Sequence, residues 1–458
     1  MRIRLMVILG VLIGLLLLST LPSEAATSIR VGLVVNTTSA QSFTVSENYL
    51  LLDGSTGKTL AALSPGQNWQ AAYAGGAVSI SRDGAVVAAS SNPLICRPAQ
   101  AGSSIAPNIL TAAGGSRSGV EGMIVTPVTM SGISINTNSS FQTVQAEPKT
   151  KINTNKTENA NKTEDGIGTG IFTLNSAQYR GSLEFRSTES GLVVINELDI
   201  EDYLKSVVPR EMSGSWPLEA LKAQAVAARS YALYHQQQGR FSNLGFDLKY
   251  DQQVYQGIST EHPTSTEAVN QTAGQMLLCN GNAVEAVFHT SNGGYTEASG
   301  DVWGADLPYL HAAVDPYDAN ESNYNWSKTC SKQDLTALAS KYGLTEITDL
   351  SVTSYTRSGS RIKELLLVGK NSAGEISSST IKGADQVRGT LGLKSTVCEL
   401  QKECDADGSL NQVILTGNGY GHGLGLSQYG AYGRAKAGHT YQQILDFYYP
   451  NCQLVSDK

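Results

Sequence analysis

The chain has 458 residues and a formal net charge of −7. That length exceeds what one compact core usually holds, so two domains are expected, each large enough to bury a core. The acidic balance makes a phosphate backbone a poor partner and sets nucleic-acid binding aside.

Arg2 and Arg4 precede an apolar run from Leu5 to Leu21, and Ser23-Glu24-Ala25-Ala26 supplies small residues for cleavage. Residues 1–26 therefore read as a secretory signal peptide. The competing reading is an uncleaved anchor, since about 17 to 25 apolar residues span a bilayer and this run sits at the lower limit. No cysteine lies near the junction, which argues against lipid attachment there. An extracytoplasmic protein is expected, secreted or held to the membrane only through this segment. In such a chain Cys96, Cys279, Cys330, Cys398, Cys404 and Cys452 permit three disulfides, and the short Cys398 to Cys404 loop invites one. Buried free thiols are the equal alternative, because a chain this long does not need staples.

From 27 to 135 the pattern is one of short alternating apolar runs, such as Ile29 to Val35 and Ala77 to Ile80, punctuated by Asp53-Gly54, Pro65-Gly66 and Asp83-Gly84. This predicts a β-rich N-terminal domain with sparse charge and no catalytic constellation, suited to support or wall contact. In 136–170 apolar residues thin out and Asn155-Lys156-Thr157-Glu158 repeats as Asn161-Lys162-Thr163-Glu164, the pattern of a flexible linker. A second domain, 171–458, opens with strand-like Tyr179 to Phe185 and Leu192 to Ile195 around a Glu189-Ser190-Gly191 turn. Strands and helices then mix, so the fold class is α+β: a mixed domain preceded by a β-rich one.

In the stretch from Asp199 to His235, Tyr203, Leu204, Val207 and Val208 fall three and four apart, and Glu201 and Lys205 are spaced to pair. Pro209 is expected to stop that helix. A second, alanine-rich helix starts at Pro217; Lys222 and Arg229, seven apart, share a face that can meet a ligand. Glu211 sits in the elbow. A carboxylic acid at a rigid corner near basic groups and Trp216 is a general-acid candidate, although a lone glutamate before a helix is more often a solvated or capping group. The string Glu201-Asp202-Tyr203-Leu204, Val207-Val208-Pro209-Arg210-Glu211-Met212 and Glu219 through Arg229 resembles the stage II sporulation protein D family, which includes the LytB-type amidase enhancers. The resemblance implies an exported peptidoglycan lytic transglycosylase, engaged in cell-wall remodelling that includes sporulation engulfment, with Glu211 on the family's catalytic glutamate.

The likeness continues through Asp251-Gln252-Gln253-Val254-Tyr255-Gln256-Gly257, where Gln253 and Tyr255 offer hydrogen bonds and a stacking face to sugars or, on the plainer reading, form a turn with a buried tyrosine. A hairpin follows, Gln275 to Cys279 and Ala283 to His289 around Asn280-Gly281. Its exit, His289-Thr290-Ser291-Asn292-Gly293-Gly294, brings His289 and Ser291 to a ligand or keeps the histidine structural. After a strand at Val413 to Thr416, Gly417 through Ala431 matches the family's Gly-His-Gly and Ser-Gln-x-Gly-Ala block, with Leu426 where methionine is common. Alternate glycines would keep a wall thin enough for a wide glycan, leaving His422, Ser427 and Gln428 to bond its hydroxyl and acetamido groups. A dinucleotide fingerprint would need glycine at Leu426, and no phosphate loop is present.

Some family members hold zinc with a histidine in the His289 block and cysteines shortly after it. Here the next cysteine is Cys330, and Cys398 and Cys404 are too widely spaced for a knuckle, so neither metal nor cofactor is expected. No second carboxylate is marked beside Glu211, although Asp199, Glu219 and Asp251 stay open as partners. The resemblance implies instead that Glu211 protonates the glycosidic oxygen, that the sugar's acetamido group assists, and that Glu211 then takes the proton of the 6-hydroxyl, leaving 1,6-anhydro-muramic ends. A glutamate of pKa about 4.3 is only about 0.2% acid at pH 7, and a shift to about 6 raises that roughly fifty-fold; burial against Trp216 and Met212 would supply it. Two other functions stand beside this one: a non-catalytic enhancer that binds a cell-wall amidase, and a wall-binding structural protein.

Overall fold

The computed structural model describes residues 27–99, 170–318 and 325–456. The expected signal or anchor, 1–26, and all but Gly170 of the expected linker lie outside these residues. The fold is α+β with several sheets.

Eight strands come first: β1 (Ser28–Thr37), β2 (Gln41–Val45), β3 (Tyr49–Asp53), β4 (Thr59–Leu63), β5 (Trp69–Ala74), β6 (Ala77–Arg82), β7 (Ala85–Ser90) and β8 (Leu94–Pro98). After the undescribed stretch come β9 (Ile171–Leu174), β10 (Ala177–Arg180), β11 (Ser182–Thr188), β12 (Gly191–Asp199) and β13 (Leu248–Lys249). The two groups interleave. One sheet runs β13-β1-β12-β11-β8-β3-β4 and the other β10-β9-β2-β5-β6-β7. Strand β1 lies antiparallel to β12 from Ser28 opposite Asp199 to Thr37 opposite Leu192. Their buried faces form one core, including Ile29, Phe43, Leu51, Trp69, Phe172 and Phe185. The expected division between a β-rich unit ending at 135 and a separate one starting at 171 therefore does not separate two cores. Alternation told which face of each strand is apolar, but not which distant strand would cover it.

The strand-like stretch Tyr179 to Phe185 is two strands, one in each sheet. Gly181 makes the corner at φ +90°, and a Cβ there would stand 2.3 Å from the Glu197 carbonyl oxygen. Only glycine meets both constraints.

Helix α1 (Ile200–Glu211) is capped by Asp199, whose carboxylate accepts the Glu201 N–H at 2.7 Å. Pro209 lies inside α1 rather than beyond it. In the last turn its missing N–H removes one bond, while the Met212 N–H still reaches the Val208 carbonyl at 2.9 Å. Helix α2 (Leu218–Gln238) starts after Pro217 and ends at Gly239 in the left-handed region, φ +58°. It is buried on most of its circumference, with Ala220, Ala223, Ala225, Ala227, Ala228 and Ala232 all solvent-free. Small side chains let neighbouring backbones approach from several sides.

Among the described residues the remaining α-helices are α3 (Pro263–Gln271), α4 (Ser299–Val302), α5 (Lys332–Lys341), α6 (Ala384–Leu391), α7 (Gln428–Lys436) and α8 (Tyr441–Tyr448). The Gln275–Cys279 strand turns at Asn280-Gly281, both at positive φ, but its return strand is only Asn282–Ala283; its other edge pairs with Cys452–Ser456. Residues 326–415 carry a second core, with Leu335, Ile347, Leu350, Ile362, Leu365, Val387 and Leu415. An antiparallel bridge, Ser291 to Tyr420, with hydrogen bonds of 3.0 and 2.8 Å, draws its two ends together.

Gly181→Ala is expected to destabilise the chain by about 2 kcal/mol or more through overlap and backbone strain. Gly66→Ala, at φ +75° with open space around it, should cost about 1 kcal/mol. Equal urea midpoints for the two variants would refute the corner.

Candidate active site

Glu211 closes α1, and both of its oxygens are held. Oε1 accepts the Val254 backbone N–H at 3.0 Å, and Oε2 accepts the Gln428 side-chain amide at 3.3 Å. Burial raises its pKa above the ordinary carboxylate value, opposed by the Val254 N–H, the Gln428 amide and the charge of Arg210. Among the described residues no carboxylate is one of the groups that shift it. Trp216 lies edge-on to Tyr429, ring centroids 4.8 Å apart, and 5.0 Å from Tyr432, fastening the α1–α2 elbow to α7. Met212 is buried beside it in sequence.

Gln428 is the first residue of α7, and the motif around it is explained position by position. The Ser427 hydroxyl caps α7, accepting the Gly430 N–H at 3.3 Å, and donates to Asp318 Oδ2 at 2.7 Å. A Cβ on Gly430 would stand 1.9 Å from the Tyr448 hydroxyl oxygen. Ala431 is fully buried. Ser427 thus holds the protein to itself; the expected bond to a glycan is not available to a residue with no exposed surface.

Asp318 was not marked by the sequence. Fully enclosed, it accepts the Ser291 hydroxyl at 2.9 Å, the Ser427 hydroxyl, and the Asn292 backbone N–H. Burial pushes its pKa up to about 6 against these three donors. Beside it, Asp315 accepts the Asn292 amide at 2.8 Å, the Tyr448 hydroxyl at 2.6 Å and the Arg434 guanidinium at 3.0 Å. Arg434 lies over the Phe447 ring, 3.3 Å from its centroid. Ser291, also without exposed surface, is likewise committed to the protein.

The glycines of the His422 loop answer to their own protein. A Cβ at Gly421 would stand 2.6 Å from His289 Cβ, one at Gly423 2.6 Å from the Arg361 guanidinium carbon, and one at Gly425 2.2 Å from the Val287 carbonyl oxygen. All three have positive φ. The thin wall expected for a glycan is instead a loop pressed onto an internal arginine. Arg361 donates to the carbonyls of Gly421 and Asn292 at 3.2 and 2.9 Å and faces Glu297 at 3.7 Å; Glu297 also takes the hydroxyls of Thr356, Ser358 and Ser360.

His289 and His422 lie 5.0 Å apart, ring to ring. His289 Nδ1 contacts the Leu424 carbonyl at 3.1 Å, and its enclosed Nε2 has no partner. Burial lowers the pKa of both imidazoles, so both are neutral at pH 7. His422 keeps partial exposure beside Trp303, whose ring centroid is 5.3 Å away. Among the described residues no group of three or more His, Cys, Asp or Glu is gathered for a metal. Cys330 and Cys398 belong to the second core rather than to the His289 loop, so the residues present do not fit the zinc site of the wider family.

The other expected binding residues are each engaged with partners in the protein. Arg229 is 1% exposed and grips Glu201 with two bonds, 2.9 and 2.5 Å, with a third to the Gln275 carbonyl at 3.0 Å. Glu201 is therefore not paired with Lys205, which holds Asp202 at 2.7 Å. Lys222 is paired with Glu219 at 2.7 Å and lies 5.5 Å above the Tyr441 ring. Gln253 accepts the Tyr203 hydroxyl at 2.9 Å and donates to the Ala228 carbonyl at 3.1 Å. Tyr255, 2% exposed, donates to Asn196 at 2.7 Å and packs on Tyr203 and Tyr179, so it has no free stacking face. What this stretch gives the site is the backbone N–H of Val254, which no side-chain pattern reveals.

The fold and site define a mixed α+β protein in which one partly buried carboxyl, that of Glu211, is held by neutral donors from two other segments of the chain. The chain belongs to the stage II sporulation protein D family. The family model described as "Stage II sporulation protein" matches residues 188–278, and a domain of unknown function (DUF8618) matches 303–425. The chain is 35% identical over 300 residues to an uncharacterized protein of Brachyspira hyodysenteriae, covering 64% of this chain and 75% of that one. It is 30% identical over 281 residues to the stage II sporulation protein D of Bacillus subtilis, 57% of this chain and 75% of the relative. It is also 35% identical over 300 residues to the amidase enhancer of the same organism, covering 55% of this chain but only 40% of that protein.

The raised pKa of Asp318 fixes a sign. The native chain holds this proton more tightly than the unfolded one, so stability is greatest below the unfolded value, falls between about pH 4 and 6, and levels off above. The loss is on the order of 2–3 kcal/mol. Asp318→Asn should flatten that slope in urea titrations at pH 4 and 7, whereas Asp318→Ala, which strands three donors, should lose about 2–4 kcal/mol at both.

Proposed function

We propose that the chain is an exported peptidoglycan lytic transglycosylase in which Glu211 serves as general acid and then as general base. The observation that carries this reading is the state of Glu211: a partly buried carboxyl with a raised pKa, held by an amide N–H and a side-chain amide rather than by a salt bridge. A general acid must enter the reaction protonated, and desolvation favours that form. Neutral donors fix its orientation without forcing it to ionise. Among the described residues no carboxylate is one of the groups that shift Glu211, which supports a one-carboxylate route over a two-carboxylate retaining one. One carboxyl that gives its proton to the glycosidic oxygen and recovers one from the 6-hydroxyl completes the cycle, with the substrate's own hydroxyl as acceptor in place of water. Family membership and the relative named stage II sporulation protein D support a role at the cell wall. The apolar N-terminal segment supports export, by cleavage or as an anchor.

The relative named amidase enhancer favours a second reading, in which this fold acts by engaging a wall amidase. Purified glycan strands incubated with the chain alone separate the two. Products with 1,6-anhydro-muramic ends are expected; ordinary reducing ends would indicate hydrolysis, and no turnover without an added amidase would favour the enhancer.

Glu211→Gln should keep the melting temperature of the parent and lose about a hundred- to ten-thousand-fold in rate, since the amide is nearly isosteric but neither gives nor takes the proton. In the parent, kcat/KM should fall as pH rises through the raised pKa of Glu211, placing the alkaline limb above the ordinary carboxylate range. A limb at or below that range, or a folded Gln variant with undiminished turnover, would remove Glu211 from this role.

A further inference from the structure

Six cysteines leave many pairings open in the sequence, and strand register narrows them to one. Cys279 ends the Gln275–Cys279 strand and Cys452 begins Cys452–Ser456; the two strands are antiparallel and these residues stand directly opposite one another. Opposed residues in such a ladder have Cα atoms about 4.5–5.5 Å apart, inside the span of about 4.4–6.8 Å that a disulfide bridges. Both are free thiols in this structure, in hydrogen-bonding contact through their side chains.

No other pair is placed this way. Cys96 lies between Leu51 and Leu183, Cys330 opposes Val413, Cys398 opposes Gly417 and Cys404 opposes Leu410. Cys398 and Cys404, whose short spacing invites a bridge, lie along one extended strand, Val397–Cys404. Six residues of strand separate them by about 20 Å.

We propose that Cys279 and Cys452 form a disulfide that fastens the C-terminal strand to the strand leading into the His289 loop. The bond closes a loop of more than a third of the chain. Helix α8, immediately before Cys452, carries Tyr448 to Asp315, and the adjoining Tyr449 accepts the Leu426 N–H at 3.3 Å and donates to the Val287 carbonyl at 2.7 Å. The bond therefore anchors the segment that supports Leu426 and Ser427. The oxidant is a low-molecular-weight disulfide. One cysteine thiolate displaces a small thiolate to give a mixed disulfide, the second attacks the protein sulfur of that bond and displaces the other small thiolate, and two protons leave. Burial and the neighbouring sulfur raise the Cys452 thiol to about 12, so exchange in the folded chain is slow and the bond forms as the strand docks.

The full chain, reduced, unfolded and refolded in a buffer of oxidised and reduced glutathione, is digested without reduction and its peptides weighed. One linked pair, containing Cys279 and Cys452, is expected, with the other four thiols alkylated in denaturant. Six alkylated thiols, or a different linked pair, would overturn the assignment. In the refolded parent, reductant should lower Tm by roughly 5–10 °C, a shift that Cys452→Ser does not show. Equal shifts in parent and variant would also overturn it. Should Cys452→Ser fail to fold, the linked peptide in the parent still decides.

Discussion

The burial of the Asp318 carboxylate organises the candidate site of this protein. An ionised carboxylate without water is costly unless its lone pairs are filled, and here the donors come from segments far apart in sequence: Ser291 and Asn292 on one side, Ser427 on the other. Each donor has a second task. Ser427 caps α7 and so fixes where the next residue, Gln428, directs its amide; Asn292 passes the restraint to Asp315, and through it to Arg434 and Tyr448. Displacing Asp318 would release both oxygens' partners and move the α7 start, which in turn holds Glu211. The geometry of the proposed acid is thus set by a carboxylate that does not touch it.

The same logic explains the glycine-rich loop. Arg361 enters from the second core and is almost wholly enclosed, so its guanidinium must find oxygen partners within the protein. It finds the carbonyls of Gly421 and Asn292 and the charge of Glu297, and the loop can come that close only because Gly423 has no Cβ to collide with it. A buried ion pair adds little net stability but is severe on alternatives, since any arrangement that loses the contact leaves a charge stranded. Arg361 therefore ties the second core, which matches a domain of unknown function, to the loop between the two halves of the site.

How much of this was legible follows from the range over which each force acts. Local signals read well: the α1 and α2 periodicities, the Asn280-Gly281 turn and the alternation in β1 and β6 all concern residues a few positions apart. Glu211 is marked in the sequence by resemblance alone and its holders by nothing, since one is a backbone N–H and the other lies 217 residues away. The interleaving of β1 with β12 was equally hidden, because an apolar face does not name its partner. Pro209 was misread because a rule for helix interiors was applied in a last turn, where a missing donor removes one bond only. The polar motif residues show the same limit. Arg229, Ser291 and Ser427 were expected at a ligand, and Gln253 and Tyr255 either there or in a turn with a buried tyrosine; in the structure each is bonded to a partner within the fold.

That engagement within the fold governs what variants of this site would do. A serine or arginine in a family motif suggests contact with substrate, and loss of activity on its replacement is then taken as proof. Here Ser427 and Arg229 would both lose activity by another route: the first by freeing the α7 cap and the Gln428 amide, the second by breaking a buried bidentate pair that ties α2 to α1 through Glu201. Such replacements leave a buried partner unsatisfied, at about 1–3 kcal/mol or more for a charge. They should therefore act first on stability and only through it on rate. Glu211 differs, because its amide replacement retains shape and an acceptor for the Val254 N–H, while the Gln428 amide can turn its oxygen to the new NH2, so the exchangeable proton is lost at little structural cost and rate and stability separate there. His422 is partly exposed, and Trp303 and Tyr420 are 42% and 46% exposed, so among the described residues this loop region keeps surface that a ligand can reach.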